Sequence, residues 1–215
     1  MTPEAQMHKQ LLYLPQSTIS PHDLFYAASE DEVFKCSTAI GRRFIRQRRA
    51  DEIGECLIYT DASCYRNGRE DAVGECIIAC EPTLLSPRRP DDNTSFMDVA
   101  RQEKATLPSQ TVFGPKRFAR PKSSRAKLYA AILAVEARPW DREGWKTIVI
   151  AIDMEYVVIG ITTLVWKWKK NGWRKSNGKP VANIDLWKRL IASIEDLQAS
   201  GVAVKFWKVS RVKGN

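Results

Sequence analysis

Long apolar runs and a leader segment are both absent from this sequence. No apolar stretch approaches the roughly 20 residues that a membrane-spanning helix needs. The first ten residues, MTPEAQMHKQ, lack the apolar core of a secretory signal peptide. These absences argue against a membrane protein and against a secreted one, and we expect a soluble protein inside the cell, nuclear or cytoplasmic.

Histidine is scarce and cysteine is irregularly spaced, which limits the metal sites and disulfides to be expected. The sequence has two histidines, His8 and His22, and five cysteines. An odd number of cysteines without regular spacing favours reduced thiols over a disulfide framework. Because both histidines are far from the cysteines in sequence, ordinary buried cysteines are favoured over a zinc site. The cysteines are Cys36, Cys56, Cys64, Cys76 and Cys80.

Acidic residues are outnumbered by basic ones, 25 against 34, which gives the 215-residue chain a net charge of +9. Such a balance favours an anionic partner. Because no long amphipathic basic helix stands out, nucleic acid is favoured over a membrane surface. Apolar residues make up 44% of the chain, so we expect a buried core and one main domain with extensions.

One segment concentrates the positive charge. Residues 166–180, WKWKKNGWRKSNGKP, contain three tryptophans and six basic residues without an acidic residue, and we call this segment the basic tract. Lysine and arginine neutralise phosphates, and indole rings offer flat faces to sugars and bases. The alternative is a solvated basic face whose tryptophans anchor it to the core. The tract alone leaves both interpretations open.

The chain is predicted to divide near residue 50. Residues 1–50 contain scattered prolines and end in an arginine-rich stretch, so we interpret them as an N-terminal extension outside the core, basic at its end, where a protein partner could bind. Residues 51–215 form the predicted domain. Within it, residues 81–122 hold six prolines and are predicted to be mostly a long loop, with at most one strand near 111–118.

Hydrophobic patterns in the rest of the chain predict a mixed α/β sheet. Apolar runs at 56–60 and 73–80, separated by turn-prone residues, predict a hairpin. Residues 124–138 have helical spacing with Ser124 as N-cap, and Thr147–Ile152 suits a central strand buried on both faces. A helix from Glu155 into the basic tract, a helix at 183–199 and a last strand at 202–209 complete the prediction.

Two aspartates stand at the ends of predicted strands. Asp61 follows the first strand and Asp153 ends the central one, so the two carboxylates converge if these strands are neighbours. Magnesium binds such carboxylates together with water and phosphate, and paired metal ions can activate water for phosphodiester hydrolysis. The alternative is that each aspartate caps a following helix.

Five segments taken together resemble ribonuclease H type 1. They are YTDASCYRNG (59–68), SSRAKLYAAI (123–132), IVIAIDMEYVVIGI (148–161), WKWKKNGWRKSNGKPVANIDLWKRL (166–190) and VKFWKV (204–209). The arginine-rich lead-in and the long loop are similar to fungal members. The resemblance implies an RNase H-like mixed five-stranded sheet, three antiparallel and then two parallel strands, flanked by helices. It also implies cleavage of the RNA strand of RNA–DNA hybrids by Mg²⁺ (or Mn²⁺) ions that four carboxylates hold.

The chain departs from this resemblance at the metal site. The first and third family carboxylates match Asp61 and Asp153, but Lys127 stands where the second, a glutamate, is expected, and Met154 replaces the usual serine. The fourth carboxylate and a C-terminal helix are expected beyond the last strand, where the chain reads SRVKGN and stops at Asn215. We therefore expect a catalytically inactive or impaired protein, with no metal bound. The alternative is a hybrid ribonuclease of weak or partner-completed activity.

Lys127 has a specific hypothesis attached to it. With Ser124 as N-cap, Lys127 would lie at the third helical position, where a glutamate suits the helix dipole better. An ammonium group cannot bind magnesium and repels it. We expect Lys127 either to lie between Asp61 and Asp153 and supply the charge that a metal supplies in active relatives, or to extend to solvent. Glu155 is a weaker substitute ligand, because it is expected to point elsewhere.

The resemblance also assigns a role to the basic tract, which matches the family's basic protrusion, a helix and loop that bind the hybrid away from the active site. Asn67 resembles a residue that contacts the minor groove, and the Ser124 hydroxyl can bond a phosphate or a 2′-OH. Trp168 also fits a core position on its helix. The expected ligand is an RNA–DNA hybrid or double-stranded RNA. The predicted contacts are Asn67, Ser124, Lys167, Trp168, Lys169, Lys170, Trp173, Arg174, Lys175 and Lys179.

Overall fold

A computed structural model describes residues 10–15, 19–29, 32, 41–46, 54–84 and 97–210 of the chain. Its strands are β1 (Tyr26–Ala27), β2 (Phe44–Arg46), β3 (Glu55–Tyr65), β4 (Val73–Pro82), β5 (Ala100–Thr106), β6 (Thr147–Ile152) and β7 (Ala203–Lys208). Its helices are α1 (Pro21–Leu24), α2 (Ser123–Glu136), α3 (Glu155–Ile159), the π-helical turn Gly160–Leu164, α4 (Val165–Lys170) and α5 (Ile184–Ala199).

The sheet is mixed, as predicted, and β3 is its central strand. On one side β3 pairs antiparallel with β4, which pairs antiparallel with β5. On the other side β3 pairs parallel with β6, which pairs parallel with β7. These five strands confirm the expected arrangement of three antiparallel and two parallel strands, and the predicted hairpin, central strand and last strand are all present.

The helices cover one face of this sheet. α2 and α5 pack there with the α3–α4 segment, around a core that includes Ile58, Ile150, Leu128 and Trp187. The continuous apolar run of β6 fits its position, because every residue from Ile148 to Ile152 is buried. No helix within the described ranges is long and apolar enough to cross a membrane.

The N-terminal segment covers the opposite face, which corrects the interpretation that it lies outside the core. Tyr13 and Phe25 stack on Trp207, with ring centroids 5.3 and 6.2 Å apart, and β2 adds Phe44 to the same cluster. The backbone of Leu11 and Tyr13 also bonds Phe206 in β7. The sequence did not indicate this role, because the buried apolar residues are spread over three short pieces among prolines and arginines.

The strand expected near 111–118 is wrong. Those residues form a turn with an isolated β-bridge between Gln110 and Phe118, and the strand of this region is β5. β5 escaped prediction because it is an edge strand reading ARQEKAT, with its polar side chains in water. Its hydrogen bonds to β4, not its apolar content, place it in the sheet.

Candidate active site and nucleic-acid interface

The register of the parallel strands brings Asp61 and Asp153 together. Tyr59 of β3 is paired with Ala151 of β6. Asp61 and Asp153 each lie two residues further along, so the two aspartates are level with each other. β3 is longer than expected and continues to Tyr65, so Asp61 lies within the strand and pairs with Ile77. Asp153 directly follows β6, as predicted.

Lys127 lies between these two aspartates. Its Nζ donates a hydrogen bond to Oδ1 of Asp61 and another, of 2.6 Å, to Oδ1 of Asp153. The lysine side chain is 6% exposed, against 16% for Asp153 and 44% for Asp61. The geometry therefore agrees with the first alternative for Lys127, and the extension to solvent is wrong.

α2 begins earlier than expected, so Lys127 does not lie at the third helical position, where a glutamate would have suited the helix dipole better. The N-cap is Lys122, so Ser124 is the second helical residue and Lys127 lies in the second turn, beyond the capping-box position. The N–H of Ser123 is bonded by Asn67 Oδ1 at 3.1 Å. Asn67 therefore caps α2 from the neighbouring β3–β4 turn, a role that no sequence signal indicated.

The ligand set does not fit the metal site that the resemblance implies. Two carboxylates converge, and the ammonium of Lys127 occupies an oxygen of each. Among the described residues there is no group of three or more histidine, cysteine, aspartate or glutamate side chains that could hold a metal ion. An ammonium adjacent to both carboxylates opposes the entry of a divalent cation.

A cavity of about 480 Å³ opens beside this cluster. Lys127 and Asp153 form part of its wall, together with Glu155 and Tyr156. Glu155 was expected to point elsewhere, but it lines the same cavity as Asp153. Its remaining lining residues are Ala62, Ser63, Cys64, Ser123 and Met154.

The basic tract is a helix end followed by an ordered loop. All six cations are exposed, and Lys169 pairs with Glu195 at 3.5 Å. The loop is closed by hydrogen bonds from Lys175 N to Lys179 O and from Arg174 Nη1 to Gly178 O, both 2.9 Å long. Several cations are thereby held on one short, preorganised projection.

The tryptophans of the tract anchor it instead of standing free. Trp168 is 8% exposed and packs edge-on against Trp187, with ring centroids 5.6 Å apart. Trp173 is half-buried, and Lys188 Nζ lies 5.6 Å from its ring centroid. Both interpretations of the tract thus hold in part, because its cations face solvent while Trp168 belongs to the core.

Sequence reasoning missed two polar clusters near the tract. Tyr156 OH accepts a hydrogen bond of 3.1 Å from Trp187 Nε1, which links the cavity wall to α5. Arg125 binds both oxygens of Asp185 at 2.8 and 2.7 Å, and the two side chains are 3% and 9% exposed. Burial would raise the pKa of Asp185, but the hydrogen bonds from Arg125 and from Val112 N–H outweigh it and lower that pKa.

The described cysteines are free thiols, as predicted. Burial raises the pKa of Cys76 and of Cys80 to about 12, so both remain protonated near neutral pH. His8 and Cys36 lie outside the described residues, as do residues 211–215.

Comparisons with known proteins agree with this geometry. The family model for RNase H matches residues 54–208. The chain is 46% identical over 72 residues to ribonuclease H of Enterobacter sp. (strain 638), covering 34% of this chain and 44% of that protein. It is 42% identical over 83 residues to ribonuclease H of Salmonella arizonae, covering 39% and 51%. The chain thus spans about half the length of the curated relatives it matches.

Among solved structures, one similar chain is LC9-RNase H1, described as a type 1 RNase H with the type 2 active-site motif. It matches with 24% identity and a TM-score of 0.48, covering 74% of this chain and 64% of that one. The family match extends from the residue before β3 to the end of β7 and so takes in Asp61, Lys127, Asp153 and the basic tract. This chain belongs to the ribonuclease H family.

Proposed function

We propose that this protein binds nucleic acid through its basic tract and that Lys127 has replaced the metal-dependent chemistry of its family, so that cleavage is absent or impaired. The observation that supports this proposal is the pair of hydrogen bonds from the buried Lys127 ammonium to Asp61 and Asp153. They use the carboxylates that correspond to metal ligands in active relatives.

Electrostatics explain why lysine is incompatible with that chemistry. An ammonium and a divalent cation about 4 Å apart repel each other by roughly 4 kcal/mol per unit of metal charge at the effective dielectric of a protein surface. A helix-dipole effect of about 0.3–1 kcal/mol is small beside this repulsion. Lys127 therefore blocks metal binding, and its single positive charge offsets one of the two carboxylate charges.

The basic tract supports the binding half of the proposal. Its cations are exposed on the end of α4 and on the loop that follows, which is closed by its own hydrogen bonds. Trp168 of α4 is buried in the core and anchors this segment. Such an arrangement suits contacts to phosphates, which position a protein on a duplex. We propose an RNA–DNA hybrid or double-stranded RNA as the ligand, and an intracellular location, nuclear or cytoplasmic, where such duplexes occur.

A weak hybrid ribonuclease is the alternative, and Glu155 is the observation that favours it. Glu155 lines the same cavity as Asp153, although its side chain does not form a metal-binding group with Asp61 and Asp153 in the described residues. Mn²⁺ or a partner's residues would have to complete the metal site for this activity. In that case Glu155→Gln would abolish cleavage of a hybrid measured in Mn²⁺.

The test of impaired cleavage is a labelled RNA–DNA hybrid incubated with the protein in Mg²⁺ and in Mn²⁺. We expect no cleavage above background by the native chain and measurable cleavage by Lys127→Glu, which restores a third carboxylate. Lys146→Glu makes the same charge change at an exposed position at the other end of β6 and should remain inactive. Magnesium binding to the native chain at low millimolar concentration, with both aspartates required, would contradict the proposal.

The test of binding is the salt dependence of affinity for the same hybrid. The logarithm of the binding constant should fall linearly with the logarithm of salt concentration, with a slope of about −0.9 for each phosphate neutralised. Replacing Lys167, Lys175 and Lys179 with alanine should weaken binding and reduce that slope. A matched triple variant at Lys104, Lys146 and Lys208, which are exposed elsewhere, should not. A flat slope for the native chain would rule out binding through phosphates.

A further inference from the structure

A second basic surface lies on the loop between β5 and α2. Residues 108–122, PSQTVFGPKRFARPK, contain no acidic residue, and we call them the β5–α2 loop. Two phenylalanines are exposed there, Phe113 at 48% and Phe118 at 63%. Four cations of the loop are also exposed, namely Lys116, Arg117, Arg120 and Lys122.

Hydrogen bonds within the loop give it a defined shape. Thr111 N donates to Arg117 O, and Ala119 N donates to Ser109 O, each at 2.8 Å. The Thr111 hydroxyl spans the turn, because it donates to Pro115 O and accepts from Arg117 N. Because these hydrogen bonds already order the loop, it loses little conformational entropy when it binds a ligand, and this favours affinity.

The buried ion pair Arg125–Asp185 anchors the loop to two helices. Asp185 Oδ2 accepts a hydrogen bond of 3.0 Å from Val112 N, and Arg125 Nη2 donates to Gln110 O at 3.3 Å. At its other end the loop contacts the β3–β4 turn, where Gly68 N donates to Pro121 O. The loop therefore extends from the turn that holds Asn67 to the start of α5, which follows the basic tract.

The exposed phenylalanines are the unusual feature of this loop. Val112 packs against the core, whereas its neighbour Phe113 is exposed to solvent. Phe118, which forms a β-bridge with Gln110, is exposed as well. Exposed aromatic rings beside cations, with no acidic residue in the loop, suit a polyanion that also offers flat apolar surfaces. Nucleic acid has both properties, since its phosphates bind cations and its bases stack on aromatic rings.

The rings favour an unpaired strand over a duplex. Inside a duplex the bases stack on each other and present only their edges in the grooves, so a phenylalanine has no face to stack on. Unpaired bases expose their faces, and binding of single strands commonly combines aromatic stacking with a basic surface. The tryptophans of the basic tract are less suited to this role, because Trp168 is buried and both Trp166 and Trp173 pack against the core.

We propose that the β5–α2 loop binds an unpaired nucleic-acid strand that continues from the duplex held by the basic tract, with Phe113 and Phe118 stacking on its bases. This inference rests on the proposed function, since the duplex places the strand beside the loop. It gives the protein a preference for a junction between duplex and single strand.

The test compares two probes with the full chain: a blunt RNA–DNA hybrid, and the same hybrid with a single-stranded tail of about ten nucleotides. The native chain should bind the tailed probe more tightly, by roughly 5-fold or more for each phenylalanine that stacks on a base. The double variant Phe113→Ala, Phe118→Ala should lose this gain and bind the blunt hybrid as the native chain does. Leu14→Ala, at another exposed apolar residue, should keep the gain.

The outcomes separate this inference from the proposed function. Tight binding of the blunt hybrid without any gain from the tail overturns the inference and leaves the proposed function standing. Failure to bind either probe overturns both. Equal loss of binding to both probes by the double variant also overturns the inference, as does a dimer in solution that the double variant dissociates, because the loop would then serve a second copy of the chain.

Discussion

Lys127 bonds both aspartates of the candidate site, and its contribution to stability can be measured. Lys127→Met keeps most of the side-chain volume but removes the ammonium group that bonds both Asp61 and Asp153. Breaking a buried ion pair in this way typically costs about 3 kcal/mol, and we expect about 2 kcal/mol here because Asp61 is 44% exposed. Thermal melting should show a lower Tm for the variant.

Magnesium should act differently on the two proteins. A divalent cation can neutralise the carboxylates of Lys127→Met, so it should raise the Tm of the variant and leave the native chain unchanged. Sodium chloride at the same ionic strength controls for screening alone, because a monovalent cation does not replace magnesium at paired carboxylates. An equal rise in Tm for both proteins would mean that Lys127 does not occupy the cation position.

Asp185 makes stability depend on pH. Its pKa lies below the usual value in the folded protein, so the unfolded chain binds a proton more readily. The stabilisation by Arg125 and Val112 N–H is therefore complete above the ordinary aspartate pKa of about 3.9 and is lost as pH falls through the lower folded value. Asp185→Asn should lower the free energy of unfolding by about 3 kcal/mol at neutral pH.

Urea unfolding at several pH values measures this effect. The difference between the native chain and Asp185→Asn should shrink as pH falls below about 4, because Asp185 of the unfolded chain becomes protonated there before Asp185 of the folded chain does. Asp196→Asn, an exposed aspartate of the same helix, should match the native chain throughout. A constant difference across the whole range would show that the hydrogen-bond geometry, not the charge, carries the stabilisation.

At the residue scale, the strand patterns predicted that Asp61 and Asp153 converge if their strands are neighbours, and β3 and β6 are neighbours. The position of Lys127 was suggested by the resemblance, as one of two alternatives. The roles of Asn67 and Asp185 could not be predicted, because each depends on a loop that meets a helix terminus distant in sequence. Trp168 shows a third case, since its helical spacing indicated a core position while its basic neighbours indicated the surface.

The helix from Glu155 to Lys170 is the element that positions the basic tract, and there is a steric reason for the glycine at the start of its π-helical turn. A Cβ atom at Gly160 would overlap the indole of Trp187, so only glycine lets α5 approach this closely. Gly160→Ala should therefore cost about 1–3 kcal/mol of stability through overpacking, although alanine has the better helix propensity by about 1 kcal/mol. Affinity for a hybrid should also fall, because the start of the tract is displaced.

A double-mutant cycle isolates this cause. Trp187→Phe removes the part of the ring that a Cβ at Gly160 would meet, so the penalty of Gly160→Ala should be smaller in that background. Chemical unfolding of the four proteins gives the coupling free energy. A penalty that is unchanged beside phenylalanine would assign the effect to the backbone of the π-helical turn instead of to Trp187.

Elements with a strong apolar pattern were predicted from the sequence and others were not. β3, β4, β6 and β7, α2 and α5 each have a buried face that shows in the sequence. β5 and the short strands β1 and β2 lack such a pattern, because β5 is polar at the sheet edge and the other two are only two and three residues long. Tertiary pairing, not local sequence, makes these three segments strands.

At the scale of the whole molecule, the described parts of the N-terminal segment pack against the family domain. The family match begins at residue 54, and the sequence placed a domain boundary near residue 50. Yet Phe25 and Phe44 are fully buried, and they cover Leu57, Val149 and other apolar residues of the second face of the sheet. That the domain folds independently from residue 51 onward thus stays a prediction. The contacts of Phe25 and Phe44 argue against it.

Removal of residues 1–53 tests whether the domain folds alone. The shortened chain keeps Asp61, Lys127, Asp153 and the basic tract, but it exposes Trp207 and the apolar face around it. Burial contributes about 25 cal/mol for each Å² of apolar surface, so the loss of this cover should lower the Tm strongly and expose a surface that binds the dye ANS. Adding the peptide 1–53 back should restore stability if the segment acts as a cover. A shortened chain with native Tm and no dye binding would establish an independent domain, and the segment would then be available for a protein partner.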